Sequence, residues 1–98
     1  MIEIRKTDKY IKWFNGLKDK KIQAIIDMHI DRMRVGNFGN SEPIGNGLSD
    51  LKIHYQSGFR IYYKNQNNVV IILLCGGNKS TQQDDILKAH KIAAEENI

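Results

Sequence analysis

Four side chains of the kinds that handle phosphate fall close together: Lys52, His54, Arg60 and Tyr62. They flank Gln56-Ser57-Gly58 within a stretch, Leu51 to Tyr63, whose two arms alternate apolar and polar residues. That alternation is the period of a half-buried strand. Gly58 suits the left-handed position that closes a three-residue hairpin loop. With Tyr55 opposite Phe59, Ile53 meets Ile61 and Leu51 meets Tyr63 on one apolar face. The other face then carries His54 beside Arg60 and Lys52 beside Tyr62. A two-residue loop would pair Tyr55 with Arg60 and mix the faces, so the pattern selects the three-residue loop. Two permanent cations, an imidazole and a phenol on one sheet face make a surface for phosphate. A guanidinium grips two phosphate oxygens at once and keeps its proton, and an imidazole titrates near neutrality. From Leu51 to Lys79 the chain holds four Lys or Arg and no Asp or Glu, whereas acids and bases intermix elsewhere. A patch of one sign on a sheet is the footprint expected for nucleic acid or another polyanion. The net charge of +4 and pI near 9.3 agree with this, but carry less weight than the distribution.

The elements that must position this face can be read along the chain. Ile2–Lys6 alternates as a short strand. Asp8 is a candidate cap for a helix over Lys9–Leu17, whose Tyr10, Trp13, Phe14 and Leu17 recur at helical spacing and read as a core stripe. Asp19 is a candidate cap for a second helix running to about Val35, with Ile22, Ile25, Ile26, His29 or Ile30, and Met33 inward and Gly36 as its left-handed cap. Asp27 and Asp31 on its polar side read as solvated charges, Asp31 paired with Arg34. Gly36–Gly47 is rich in Gly and Asn, holds the only proline, Pro43, and reads as a connection. After the hairpin, Asn65-Gln66-Asn67-Asn68 is a turn. Val69–Cys75 is continuously apolar, a strand buried on both faces and so central in the sheet. Ser80 with Gln83 forms a capping box that opens the last helix. Glu95 and Glu96 oppose the dipole at its end, so that end should fray. The predicted fold is α+β, in the order β-α-α-β-β-β-α, with an antiparallel meander and the helical hairpin packed on its apolar face. The other face is left open or covered by the last helix.

Several classes are excluded. The chain of 98 residues makes one domain, residues 1–98. Its longest apolar run is too short to span a bilayer, so no membrane association is expected. The N-terminus lacks the pattern of a secretory signal. A lone Cys75 rules out an internal disulfide framework and a Cys-based zinc site, and points to a cytoplasmic setting. His29, His54 and His90 fall on separate elements without metal spacing, so neither a metal nor any other cofactor is expected.

Two blocks of sequence taken together resemble a known family. Gly58-Phe59-Arg60-Ile61-Tyr62-Tyr63 and Gly76-Gly77-Asn78-Lys79-Ser80-Thr81-Gln82-Gln83-Asp84-Asp85-Ile86 are similar to the RelE/HigB superfamily of bacterial toxins, and within it to the addiction-module killer proteins. The resemblance covers nearly the whole chain, including Trp13, Leu17, the region of Arg32 and Gly36-Asn37-Phe38-Gly39. It implies a RelE-like fold and an endoribonuclease that cleaves messenger RNA on the ribosome. It also implies a cognate antitoxin, a helix-turn-helix protein from an adjacent gene.

RNA cleavage without a metal needs a base for the ribose 2′-OH, cations for the phosphorane, and an acid for the leaving 5′-oxygen. Arg60 is the leading phosphate-gripping candidate. Lys52 and Lys79 are charge stabilisers, and His54 is a base or acid. Tyr62, Gln82 and Asp85 are substrate-binding candidates, the last two arriving from the first turn of the final helix. The bland alternatives are a solvated basic face for the cations, an ordinary strand histidine for His54, packing for Tyr62 and Gln82, and dipole complementation for Asp85. Many relatives carry Glu-Leu-Arg where this chain has Asp50-Leu51-Lys52, which keeps the charge and loses the bidentate geometry. On this reading Arg60→Ala relieves toxicity and leaves the fold intact. Two competing functions are a ParE-like toxin that binds DNA gyrase and a non-catalytic RNA- or ribosome-binding module.

Overall fold

The structure is a computed structural model that describes all 98 residues. Strand β1 (Glu3–Lys6) leads into helices α1 (Asp8–Asn15) and α2 (Lys20–Arg34). Strands β2 (Ser41–Gly45), β3 (Leu48–Ile53), β4 (Phe59–Gln66) and β5 (Val70–Asn78) follow, then a 3-10 turn (Lys79–Thr81) and helix α3 (Gln82–Glu95). They form one sheet in the order β1-β5-β4-β3-β2. Strand β1 lies parallel to β5, and every other pair is antiparallel. This is the α+β architecture expected, with one strand more than the sequence predicts. No helix is long and apolar enough to cross a membrane.

The sheet is buried on both sides. Tyr10, Ile22, Ile26, Ile30 and Met33 of the helical hairpin pack on Leu51, Ile53, Ile61, Tyr63, Ile71 and Leu73. On the reverse face, Ala89, Ile92 and Ala93 of α3 pack on Leu48, Tyr62, Ile72, Leu74 and Cys75. Strand β5 sits between β1 and β4 and feeds both clusters, which is why its sequence is apolar without alternation. The last helix therefore covers much of the face opposite the helical hairpin.

Two expectations about the strands need correction. The Gly- and Asn-rich connection contains β2, an edge strand paired with β3. Its proline is tolerated because an edge strand has one ladder of partners to lose. Only Ile44 within it is a large apolar residue, so no alternation announces it. The antiparallel meander thus has four strands. The central hairpin is also in a different register: Lys52 faces Arg60, Leu51 faces Ile61, Asp50 faces Tyr62 and Ile53 faces Phe59. Its loop spans His54–Gly58, five residues, with both Gln56 (φ 52°) and Gly58 (φ 87°) left-handed. Backbone bonds from Tyr55 N–H to Ile53 O (3.1 Å) and from Gly58 N–H to Tyr55 O (2.9 Å) close it. The slip is two residues. An even slip keeps every side chain on its face and changes only its neighbour across the ladder.

The helix ends also differ in detail. Thr7, not Asp8, caps α1: its Oγ1 accepts from Tyr10 N–H at 3.1 Å and donates to Leu74 O at 2.6 Å. Asp19 caps α2 as expected, accepting from Lys21 N–H at 2.9 Å. The capping box lies at Asn78 and Thr81 around the 3-10 turn, not at Ser80 and Gln83. The end of α3 does not splay open. Asn97 turns left-handed (φ 57°), Ile98 N–H reaches Ala93 O at 2.9 Å, and the Ile98 side chain packs on the α3-side core. This is a Schellman closure, which satisfies terminal carbonyls whatever the charge of the last turn.

Candidate functional site

The chemistry-bearing face of the hairpin lies on the α3 side of the sheet. Lys52 and Arg60 are direct cross-strand neighbours, and Arg60 in turn faces Gly77 on β5. Strand pairing places Asn78 opposite Phe59, so Lys79, the next residue, stands beside the hairpin loop. A Cβ built on Gly58 would lie 3.8 Å from the Cβ of Lys79. Gln82 is half-buried at the start of α3, and an all-polar hollow of about 350 Å³ is lined by Lys79–Asp84. The structure therefore brings Lys52 and Arg60 together and sets Lys79 and Gln82 at the adjoining turn.

The paired glycines before that turn have a packing explanation. A Cβ on Gly76 would lie 2.4 Å from the Trp13 ring, and one on Gly77 would lie 1.8 Å from Asp85 Oδ2. The end of β5 is thus clamped between α1 and α3, and only glycine admits both neighbours. Asp85 is buried and accepts a hydrogen bond from Thr81 Oγ1. It ties the first turn of α3 to the 3-10 turn, so it is not free to meet substrate.

Both strand cations have carboxylate partners. Lys52 Nζ lies 2.8 Å from Glu42 Oε1. Its hydrogen bond and charge hold the exposed Glu42 carboxyl below its ordinary range. Arg60 Nη1 donates to Asp50 Oδ2 at 3.5 Å. Asp50 is 2% exposed, and its Oδ1 has no partner. The face is therefore not the one-signed patch that residues 51–79 suggest. Its counter-ions come from Asp50, one residue before that window, and from Glu42 on the edge strand β2. Continuing the alternation of Leu51 and Ile53 back to Ser49 would have placed Asp50, with Leu48, on the face of Lys52. Glu42 left no comparable signal.

Two candidates are displaced. Tyr62 is fully buried beneath α3, with its hydroxyl unpartnered. Burial, then the charges of Asp85 and Asp50, raise its pKa well above the usual phenol value. It neither stacks on a base nor donates a proton at neutral pH; it is part of the α3-side core. His54 lies beyond β3, exposed in the hairpin loop. Asn40 Nδ2 donates to its Nε2 at 2.9 Å. The predicted pairing of His54 with Arg60 is lost because the strand ends at Ile53. His54 instead lines a cleft of about 390 Å³ against α2. No group of three His, Cys, Asp or Glu is placed to hold a metal ion.

With this geometry in hand, comparison with known proteins is informative. The chain is 43% identical over 94 residues to a protein of Haemophilus influenzae described as uncharacterized, spanning 96% of this chain and 95% of that one. No protein-family model matches the chain. Among solved structures, it is similar to a chain of the intact Escherichia coli RelBE toxin-antitoxin complex, with a TM-score of 0.67 and 14% identity over 80% of this chain and 96% of that one. The isolated E. coli RelE toxin gives a TM-score of 0.62 at 14% identity over 90% and 97% of the two chains. A RelBE complex from Mycobacterium tuberculosis gives 0.59 at 13% identity, over 80% and 98%. The chain belongs to one family with the Haemophilus influenzae protein and carries the RelE fold.

Proposed function

We propose that this protein is the toxin of a bacterial toxin–antitoxin module, of the addiction-module killer type, and that it cleaves messenger RNA on the ribosome by attack of a ribose 2′-OH. The observation that carries this reading is the cross-strand pair Lys52–Arg60 with Lys79 at the adjoining turn, on a RelE fold. Arg60 spends one N–H on Asp50, which leaves other donors of the guanidinium fork for a phosphate. Asp50 therefore holds Arg60 in place rather than consuming it. Lys52 is 19% exposed and its partner Glu42 is 63% exposed, so an entering phosphate displaces a solvated carboxylate at little cost. Lys79 adds charge from the rim. Together they stabilise the phosphorane, and the products are a 2′,3′-cyclic phosphate and a 5′-hydroxyl. The partner is an antitoxin from an adjacent gene, a helix-turn-helix protein, and the setting is the cytoplasm.

Induced expression without the antitoxin tests this reading. Growth should stop, with cuts at codon-fixed positions in translated messages, and co-expression of the neighbouring gene should restore growth. Growth arrest with intact messages would overturn the nuclease. One observation favours a second reading, a ParE-like gyrase inhibitor or a non-catalytic RNA- or ribosome-binding module. Each strand cation already has a carboxylate partner, and such pairing suits a structural surface as well as a site. DNA-damage signalling alongside intact messages would select the gyrase inhibitor. Salt-sensitive RNA binding without cleavage would select the binding module.

A further inference from the structure

A cleft on the opposite side of the sheet from Arg60 lies between α2 and the start of the hairpin loop. Its volume, about 390 Å³, falls within the roughly 300–1,000 Å³ typical of small-molecule sites. One wall is apolar, with Ile25, Met28 and Tyr55. The polar lining comprises Arg32, His29, His54, Lys52 and asparagine amides, and includes no Asp or Glu.

The polar groups are left available for a ligand. Arg32 is exposed, its side chain makes no ion pair, and its one side-chain hydrogen bond is a long contact to Met28 Sδ at 3.7 Å. His29 is held by Nδ1 to Ile25 O at 2.9 Å, which leaves Nε2 free. His54 takes its hydrogen bond from Asn40 at Nε2, which leaves an N–H on Nδ1 to donate. A guanidinium, a free imidazole nitrogen and an imidazole N–H around an apolar wall match a planar ring carrying an anionic group. We propose that this cleft binds a mononucleotide-sized aromatic anion, with the phosphate on Arg32 and His54 and the ring against Ile25, Met28 and Tyr55. The cleft shares Lys52 with the Lys52–Arg60 face but is not lined by Arg60, Lys79 or Gln82, and the proposal does not depend on the ribonuclease reading.

The test is amide chemical-shift mapping of the full chain titrated with adenosine monophosphate, and separately with adenosine and with inorganic phosphate. Saturable shifts confined to residues 25–40 and 51–55 are expected with the monophosphate, and weaker binding with either fragment. Arg32→Gln should weaken the monophosphate by about ten-fold, the loss of one charged hydrogen bond, without disturbing the remaining spectrum. Asn40→Ala, which frees the His54 ring, should weaken it less. Three results would overturn the proposal: no saturation at millimolar ligand, shifts centred on Arg60 and residues 77–85, or an Arg32→Gln variant that binds as well as the native chain. Adenosine binding as tightly as the monophosphate would also refute it, since the site would then be merely apolar.

Discussion

Replacing Arg60 with alanine is the direct way to disarm the proposed site, and the structure predicts that it also weakens the fold. The Arg60 side chain is 13% exposed and Asp50 is 2% exposed, with one contact of 3.5 Å between them. Asp50 Oδ1 has no partner at all. Truncating Arg60 therefore strands a carboxylate between sheet and helix with no cation. Breaking a buried pair from one side costs about 3–5 kcal/mol. The single long contact and the residual exposure of Arg60 place this pair at the lower end, about 3 kcal/mol. That is a large share of the roughly 5–15 kcal/mol that holds a domain together. At about 4–8 °C per kcal/mol, melting should fall by roughly 12–24 °C. The assay is urea and thermal unfolding followed through Trp13, the only tryptophan. Asp50→Ala and the double variant complete a thermodynamic cycle. The double variant should recover most of the lost stability, because it removes the orphan along with its partner. An Arg60→Ala loss below about 1 kcal/mol would refute the reasoning, since Asp50 would then have found other solvation. The double variant also isolates function: if it is folded and harmless, the guanidinium is required, and if it is folded and toxic, Arg60 leaves the mechanism.

Other perturbations follow from the same geometry. Glu42→Gln releases Lys52 and should raise affinity for a non-cleavable single-stranded RNA about two- to five-fold, with melting nearly unchanged; weaker binding, measured by fluorescence anisotropy, would mean that Glu42 contributes to the site rather than competing with substrate. Gly77→Ala should destabilise by about 1–3 kcal/mol or more through overpacking against Asp85, and adding Asp85→Ala should recover part of that loss; a tolerated Gly77→Ala would mean that α3 moves aside freely. Burial pushes the Cys75 thiol up to about 12 from an ordinary 9.0, and it raises the Tyr10 and Tyr62 phenols too. Each of these groups ionises first in the unfolded chain, so its contribution is complete below the unfolded pKa and is lost as pH rises toward the folded one. The unfolding free energy extracted from urea titrations should therefore drop from about pH 9 upward, by about 1.4 kcal/mol per pH unit for each titrating group, and a flat alkaline limb would contradict the burial of these side chains.

The parts of the site that were legible in the sequence are those that depend on parity alone. Leu51, Ile53, Ile61 and Tyr63 face the helical hairpin, and Lys52, Arg60 and Tyr62 face away, as alternation requires. The two-residue slip left that division intact because the side-chain period is two. What depended on register was lost: Lys52 found Arg60 instead of Tyr62, and His54 left the strand. The cause is local, since Gln56 accepts a left-handed conformation that the glycine pattern does not advertise. Burial of Tyr62 depended on something further, the position along β4 at which α3 crosses. Lys52 and Arg60 lie at the uncovered end of the same face on which Tyr62 is sealed in the core. Counter-ions were least legible of all, because Glu42 is brought to Lys52 only by the sheet order and by a strand with almost no apolar signal. Charge runs along a chain measure which residues are neighbours in sequence, whereas a phosphate meets neighbours across a ladder. For this face the relevant quantity is the difference between three cations and two carboxylates, which makes its electrostatic attraction for a phosphate group sensitive to Glu42, a residue outside the basic run.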